Sequence, residues 1–324
     1  MIVQVLIVLL KLVIAIAFIM ASALVLIYML RKVMGHMQSR VGPNRVGPFG
    51  ILQTVADASK LLFKEDIVPA KVDRWSWRIA PSVVLMASMA SFSFIPFAKN
   101  LTMVNSNISL FFIFAMSSLT SVGVIMAGWS SNNKYSLIGG LRSAAQVLSY
   151  EVPIVLSTIG VVMMTGSLNL VDIVEKQKHL FNIFPQFLGF LIFMTAALAE
   201  LNHTPFDISE AESELVSGFN TEYSAMRFAM FFLAEFFNVF VIAALGAVVF
   251  LGGWNPVFIP LPGFIWLIIK SYVLIFVIMW IRSTFPRFRA DQLLNIGWKL
   301  LLPASLINIF GTGIVLLITR GGIS

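Results

Sequence analysis

Runs of about 20 mostly apolar residues recur along the whole chain, and they restrict its fold more than any other feature. A helix of that length crosses the hydrocarbon core of a bilayer, which is about 30 Å thick. Eight segments qualify or nearly qualify, at residues 2–29, 80–98, 109–128, 144–165, 185–201, 228–251, 263–282 and 300–319. Lipid offers no hydrogen bonds to an exposed backbone, so such segments span as helices. The sequence therefore predicts an all-α, polytopic membrane protein with about eight transmembrane helices.

Composition agrees with a membrane protein and excludes several kinds of cofactor site. Only 11% of the residues are charged and the mean hydropathy is +0.92, whereas about a quarter of a soluble domain is charged. Cysteine is absent, so the chain cannot supply thiolates to zinc or to an iron–sulfur cluster. The three histidines, His36, His179 and His203, are scattered. We therefore expect no metal and no bound cofactor in this chain.

The chain is expected to form one membrane domain over residues 1–324, because no repeat or low-complexity linker divides it. Its first apolar run is too long for the core of a cleaved signal peptide, roughly 7–15 residues, so we expect it to remain as a span.

Basic residues predict the orientation. Sixteen of the 22 lysines and arginines lie in the loops after the first, third, fifth and seventh predicted spans. Loops rich in Lys and Arg stay on the inner side of a membrane. We therefore expect these four loops inside and both termini outside. The net charge of +7 is then a result of topology and does not indicate nucleic-acid binding.

The first inner loop, residues 31–79, contains a predicted surface helix. The Gly- and Pro-rich stretch Arg40–Gly50 cannot continue a helix. The apolar face of the helix that follows comprises Ile51, Leu52, Val55, Ala58, Ser59, Leu62 and Phe63. The helical spacing of these apolar residues is typical of an amphipathic helix that lies in the membrane interface or caps the bundle.

Acidic residues are concentrated in a second inner loop, residues 200–227. Six of the fifteen acids lie there, namely Glu200, Asp207, Glu210, Glu212, Glu214 and Glu222. On the inner side, such a cluster could bind soluble partners, protons or cations.

Three charged residues fall inside predicted spans: Glu151, Glu235 and Lys270. A charge at membrane depth costs roughly 2.5–3.5 kcal/mol on the insertion scale and usually serves transport. One interpretation is that Glu151, Glu235 and Glu200 form a line of protonatable sites. The other is that Glu151 or Glu235 pairs with Lys270 or a loop arginine to fix helix packing. Pro153 removes a backbone donor close to Glu151 and favours a hydrated cavity there.

Four stretches together resemble one family, in the same order along the chain. They are RVGPNRVGPFGILQTVADASKLLFKED, SLIGGLRSAAQVLSYEVP, AELNHTPFDISEAESELVSGFNTEYS and WIRSTFPRFRADQLL. They are similar to the quinone-site membrane subunit of respiratory complex I, the proton-translocating NADH:quinone oxidoreductase. In mitochondria the homologous chain is NADH dehydrogenase subunit 1.

The resemblance implies a subunit of an oxidoreductase that lines a quinone tunnel and couples quinone reduction to proton pumping. It implies flavin and iron–sulfur clusters in partner subunits, and other membrane and peripheral subunits, quinone and lipid as partners. It implies the bacterial plasma membrane, with the mitochondrial inner membrane as an alternative.

The resemblance also implies roles for individual residues. The proton relay would be Glu151, Glu200 and Glu235, and the acidic coupling loop would be Asp207, Glu210, Glu212, Glu214 and Glu222. The quinone-binding residues would be Arg31, Arg40, Asp57, Lys60 and Phe228.

Two positions depart from the family pattern. Leu30 stands where the family usually has Glu, and His203 stands where it usually has Arg. Three other functions remain open from the residues: the related subunit of membrane-bound hydrogenases, an independent secondary transporter and a purely structural anchor. No inverted repeat is visible, which disfavours the transporter.

Overall fold

The computed structural model describes residues 2–99, 101–209, 212–257, 259 and 261–321. Within these residues the regular structure is helical, apart from one isolated bridge between Ala98 and Leu101. The helices are α1 (Ile2–Met37), α2 (Gln53–Phe63), α3 (Arg74–Ser93), α4 (Ser109–Ser130), α5 (Lys134–Thr165), α6 (Leu170–Lys176), α7 (Phe187–Glu200), α8 (Glu212–Leu215), α9 (Ala225–Phe250), α10 (Gly263–Thr284), α11 (Ala290–Asn295) and α12 (Leu302–Gly321). A short π-helix joins α11 to α12.

Six helical segments in the described part of the chain are long and apolar enough to cross a membrane. They are Leu10–Met37, Ser109–Ser130, Lys134–Thr165, Ala225–Phe250, Gly263–Thr284 and Ala290–Thr319. The predicted fifth span is the shorter apolar helix α7, of 14 residues. The predicted second span is α3, which carries Arg74, Arg78 and several serines and is less apolar than the six. The all-α, polytopic membrane fold is confirmed.

The four loops predicted to lie inside meet at one end of the helix bundle, here called the site end. The Asp73 amide donates to the Ser130 carbonyl at 3.0 Å, which joins the first of these loops to the second. The Phe288 amide donates to the Pro205 carbonyl at 2.9 Å, which joins the third to the fourth. The up-and-down order of the helices therefore agrees with the predicted topology, while the side of the membrane stays a prediction.

Lys270 lies toward the opposite end of the bundle and is 6% exposed. Its ammonium donates to three backbone oxygens just beyond the end of α9, those of Leu251 (2.7 Å), Gly253 (2.9 Å) and Asn255 (2.7 Å). The predicted pairing of Lys270 with Glu151 or Glu235 is therefore wrong. A cation is favourable at the carboxyl end of a helix, where several carbonyls lack helical partners.

Helix α9 is the central element of the bundle. In its most apolar window, 78% of the residues are buried. It packs against α1, α3 and α10, so polar side chains on it face protein more than lipid. At the site end a second apolar cluster includes Trp77, which is fully buried and stacks on Tyr223 with ring centroids 4.9 Å apart.

The predicted amphipathic helix is α2, and its position differs from one expectation. Its polar side packs on the bundle, where Thr54 is buried and Asp57 contacts Arg31 of α1. Its apolar side points away from the bundle, with Leu62 and Phe63 exposed by 61% and 90%. The alternative in which the apolar face caps the bundle is therefore wrong. That face remains open to lipid or to a partner.

Candidate functional site

A cavity of about 280 Å³ lies inside the bundle near the site end. Its polar lining comprises Ser91, Ser117, Thr120, Ser121, Ser143, Glu200, Asn202, Ser217, Asn220, Glu235, Asn238 and Arg282. Phenylalanines of α9, including Phe228, form part of the remaining wall. A water molecule needs about 10–15 Å³ of such volume and two or more polar partners. The cavity therefore has the room and the polarity to hold several waters between Glu200 and Glu235.

Two neighbouring serines of α4 hold two of the predicted relay glutamates. The Ser117 hydroxyl donates to Glu200 Oε1, and the Ser118 hydroxyl donates to Glu151 Oε1. The other oxygen of Glu200, Oε2, is buried and has no hydrogen-bond partner within the described residues. Because Ser117 and Ser118 are consecutive residues, Glu151 and Glu200 are bound at adjacent positions of α4. The structure thus brings two of the three predicted relay residues together, and the cavity separates them from the third.

The third glutamate, Glu235, belongs to a cluster with His203 and Arg282. Arg282 Nη1 lies 3.0 Å from His203 Nδ1 and 3.7 Å from Glu235 Oε1. His203 Nδ1 lies 3.6 Å from the same Glu235 oxygen. The interpretation in which a loop arginine accompanies Glu235 therefore applies to Arg282. The pair is loose, because a charged N–H···O bond is normally about 2.7–2.9 Å long.

His203 is 3% exposed and lies in the loop after α7. Burial, followed by the nearby Arg282 guanidinium, holds the pKa of His203 well below its usual value of 6.5. The imidazole is therefore neutral at physiological pH. Since a guanidinium only donates hydrogen bonds, the nitrogen of His203 that faces Arg282 accepts one.

The loop that carries His203 is fixed by contacts that do not involve the imidazole. The Gln146 side-chain amide donates to the carbonyls of Ala199 and Phe206 at 2.6 and 2.7 Å. The Thr204 hydroxyl donates to the Arg282 carbonyl at 3.0 Å. These bonds attach the start of the acidic loop to α5 and α10, so the direction of His203 is set by the backbone.

The described acids of the predicted coupling loop each contact a polar side chain from another segment. The contacts are Asp207 with Arg287 (2.8 Å), Glu214 with Arg142 (2.6 Å) and Glu222 with Asn133 (2.6 Å). Glu210 and the side chain of Glu212 lie outside the described residues. The described part of the loop is therefore cross-linked to the segments around it.

The predicted quinone-binding residues fall into two places. Arg31 of α1 forms an ion pair with Asp57 of α2, and Asp57 also accepts from Gln53 at 2.9 Å. Partial burial acts to raise the pKa of Asp57, but the hydrogen bonds from Arg31 and Gln53 and the charges of Arg31 and Lys60 lower it overall. Arg40 and Lys60 are exposed. Only Phe228 of this set lines the cavity.

Sequence reasoning missed three side chains of the site. Ser117 and Ser118 could have been noticed as adjacent hydroxyls in a predicted span, but nothing in the sequence indicates which carboxyls they meet. Arg282 stands out in the sequence only as a charge that indicates topology. Leu30 lines the same cavity as Arg282 and Glu235, so both departures from the family pattern adjoin one site.

The fold and the site define a polytopic, all-helical membrane protein in which Glu200 and Glu235 line one cavity inside the bundle, and Glu151 is bound by the serine next to the one that binds Glu200. Within the described residues, no group of three or more His, Asp or Glu side chains is arranged to hold a metal ion.

Comparison with known proteins gives a consistent family. The profile of the NADH dehydrogenase family matches residues 10–313. The H subunit of a NADH-quinone oxidoreductase from Brevibacillus brevis is 53% identical over 298 residues, which cover 91% of this chain and 89% of the relative. Proteins of the same name from Geobacillus kaustophilus and Magnetococcus marinus are 53% and 50% identical, over 88% of this chain and 86% and 84% of their own lengths. The chain belongs to the NADH dehydrogenase family, among the H subunits of NADH-quinone oxidoreductases.

Proposed function

We propose that this chain is the membrane subunit of a proton-pumping NADH-quinone oxidoreductase, in which quinone reduction drives proton movement through Glu200, Glu151 and Glu235. The observation that supports this proposal is that consecutive serines of α4 bind Glu151 and Glu200, and that Glu200 and Glu235 line one cavity. The relatives are NADH-quinone oxidoreductase subunits, which supports the quinone branch over the membrane-bound hydrogenases.

The path has the chemistry that proton transfer needs. A serine hydroxyl can donate one hydrogen bond while it accepts another, so Ser117 and Ser118 can pass a proton between neighbouring carboxyls. Water in the cavity would bridge the gap between Glu200 and Glu235. A carboxyl in a medium of low dielectric constant can change its charge when a neighbouring charge changes. Each glutamate can therefore respond to the protonation state of the next.

The acidic loop would connect this path to quinone chemistry. Asp207 pairs with Arg287 and lies in the same loop as His203, which faces Glu235. A change of charge or position at Asp207 would therefore reach Glu235 through this loop. Glu214 and Glu222 would stabilise the loop through Arg142 and Asn133, and Glu210 and Glu212 complete the proposed set.

Quinone would approach between α2 and the site end. Phe228 offers an apolar wall inside the cavity, while Arg31, Asp57 and Lys60 offer polar groups on α1 and α2, with Arg40 in the loop between them. The exposed apolar side of α2 is suited to lipid or to an isoprenoid tail. The electrons would come from partner subunits that carry flavin and iron–sulfur clusters. Because the relatives named above are bacterial, we place the complex in the bacterial plasma membrane.

The test uses Glu235→Gln and Glu151→Gln in the purified native complex, reconstituted in proteoliposomes. Each variant should assemble and yet lose about tenfold or more of its coupled quinone reductase activity, because an amide cannot carry the proton. Glu175→Gln is the matched control, since Glu175 pairs with Lys99 at the opposite end of the bundle. Normal coupled activity in both site variants would exclude the relay.

A further inference from the structure

Arg282 Nη1 has two acceptors within reach, and it is bonded to the less charged one. Its distance of 3.0 Å to His203 Nδ1 is that of a hydrogen bond. Its distance of 3.7 Å to Glu235 Oε1 is outside hydrogen-bond range. A free guanidinium next to a carboxylate normally forms a close and often bidentate pair. A neighbouring group must therefore hold the Arg282 guanidinium away from Glu235. The imidazole of His203 is the group that contacts both residues.

We propose that His203 is a positioning residue, which binds the Arg282 guanidinium and so keeps Glu235 only loosely paired. This inference rests on the proposed function, because it concerns the ease with which Glu235 exchanges its proton. Nothing in the contacts of His203 requires it to touch quinone or to carry a proton itself.

The charged groups around the imidazole are few and can be named from each element packed against it. Glu235 faces it from α9 and Arg282 from α10. Asp207 lies further along the same loop and is paired with Arg287 from the segment after α10. The imidazole is neutral, so it can accept from Arg282 without adding a second positive charge beside Glu235.

The imidazole is not needed to hold its own loop. Gln146 and Thr204 already attach this loop to α5 and α10, and the His203 amide donates to the Leu198 carbonyl at 3.3 Å. A side chain that only filled space would leave Arg282 free to approach Glu235. The observed separation is therefore accounted for by the hydrogen bond between His203 and Arg282.

Removal of the acceptor has a definite consequence. In His203→Leu, Arg282 loses its nitrogen acceptor and can close on Glu235. A nearer cation favours the charged form of a carboxyl, so Glu235 would gain its proton only at lower pH. We expect the pH profile of coupled turnover to move down by about one unit, which corresponds to about a tenfold loss of kcat on the alkaline side of the profile. KM for quinone should stay unchanged.

His203→Asn is the conservative variant. Its side-chain oxygen lies close to the place of Nδ1 and can accept from Arg282. This variant should keep the pH profile and kcat within about twofold of the native protein. The assembled complex is used throughout, and its subunit content is checked by gel filtration, so that a folding failure in one variant does not decide the result.

A double-mutant cycle with Glu235→Gln separates this inference from the proposed function. If His203 acts through Glu235, adding His203→Leu to Glu235→Gln should cause no further loss, since coupled sites are not additive. A full additional tenfold loss would overturn the inference, and so would a native pH profile in His203→Leu. Normal coupled activity of both Glu235→Gln and Glu151→Gln would overturn the proposed function instead.

Discussion

Replacement of Lys270 by Met should destabilise the subunit strongly without altering its chemistry. Lys270 is 6% exposed, and its ammonium donates to the carbonyls of Leu251, Gly253 and Asn255. The ring of Phe181 lies 4.8 Å from the same nitrogen. Methionine has a similar length but donates nothing, so the variant would leave three carbonyls without this donor at the end of α9.

The magnitude follows from the three bonds. A buried acceptor left unpaired costs about 1–3 kcal/mol, and three of them would cost roughly 3–9 kcal/mol. Removing the ammonium also removes the cost of burying a charge, which offsets part of this loss. We therefore expect a net destabilisation of about 3–5 kcal/mol, or about 5–15 °C in the temperature of unfolding.

The assay is thermal unfolding of the purified complex, monitored through the release of this subunit. Lys99→Met is the matched control, because Lys99 pairs with Glu175 at the same end but is 66% exposed. It should unfold close to the native temperature, since exposed ion pairs contribute little. Turnover of Lys270→Met at low temperature should be native, as Lys270 does not line the cavity. If Lys270→Met unfolds within about 1 °C of the native complex, the ammonium does not stabilise the end of α9.

Two further changes test the site end. A Cβ at Gly139 would lie 2.8 Å from the Gly218 Cα. Gly139→Ala should therefore displace the acidic loop from α5 and increase the cleavage of that loop by added protease. Unchanged cleavage would contradict the close contact. Ser121 lines the cavity, so Ser121→Leu should exclude water and reduce coupled turnover about tenfold or more. Val122→Leu changes the exposed side of the same helix and should keep the native rate of coupled turnover. Equal turnover in the two variants would exclude a role for the cavity.

Much of the fold follows from the sequence because lipid imposes a simple rule on apolar runs. A segment of about 20 apolar residues has few alternatives to a spanning helix, and the spans predicted at 109–128, 228–251 and 263–282 lie within a few residues of the observed helices. The period of α2 predicted a helix equally well. It did not predict which side would face the bundle, since an apolar face can meet lipid or a partner as readily as its own chain. Asp57, opposite that face, contacts Arg31 instead.

The pairing of charges could not be predicted, because it depends on which helix ends meet. Lys270 and Glu235 fall in neighbouring spans and carry opposite charges, so their pairing was a reasonable expectation. Since α9 and α10 run in opposite directions, the two side chains lie toward opposite ends of the bundle. Lys270 instead binds backbone carbonyls, which leave no signature in a sequence. The bonds from Ser117 and Ser118 to two glutamates are hidden for a related reason, because any serine in a span can bond its own backbone.

The two departures from the family pattern gain a physical meaning from their common position. Leu30 lines the cavity, and His203 contacts two charged residues that also line it, Arg282 and Glu235. An arginine at position 203 would place a second guanidinium against Arg282 and Glu235. An acid at position 30 would then supply a negative charge to balance the added positive charge. Leucine and a neutral histidine remove both charges together. The cavity thus keeps one arginine with Glu235, and the histidine nitrogen decides how closely that arginine may approach.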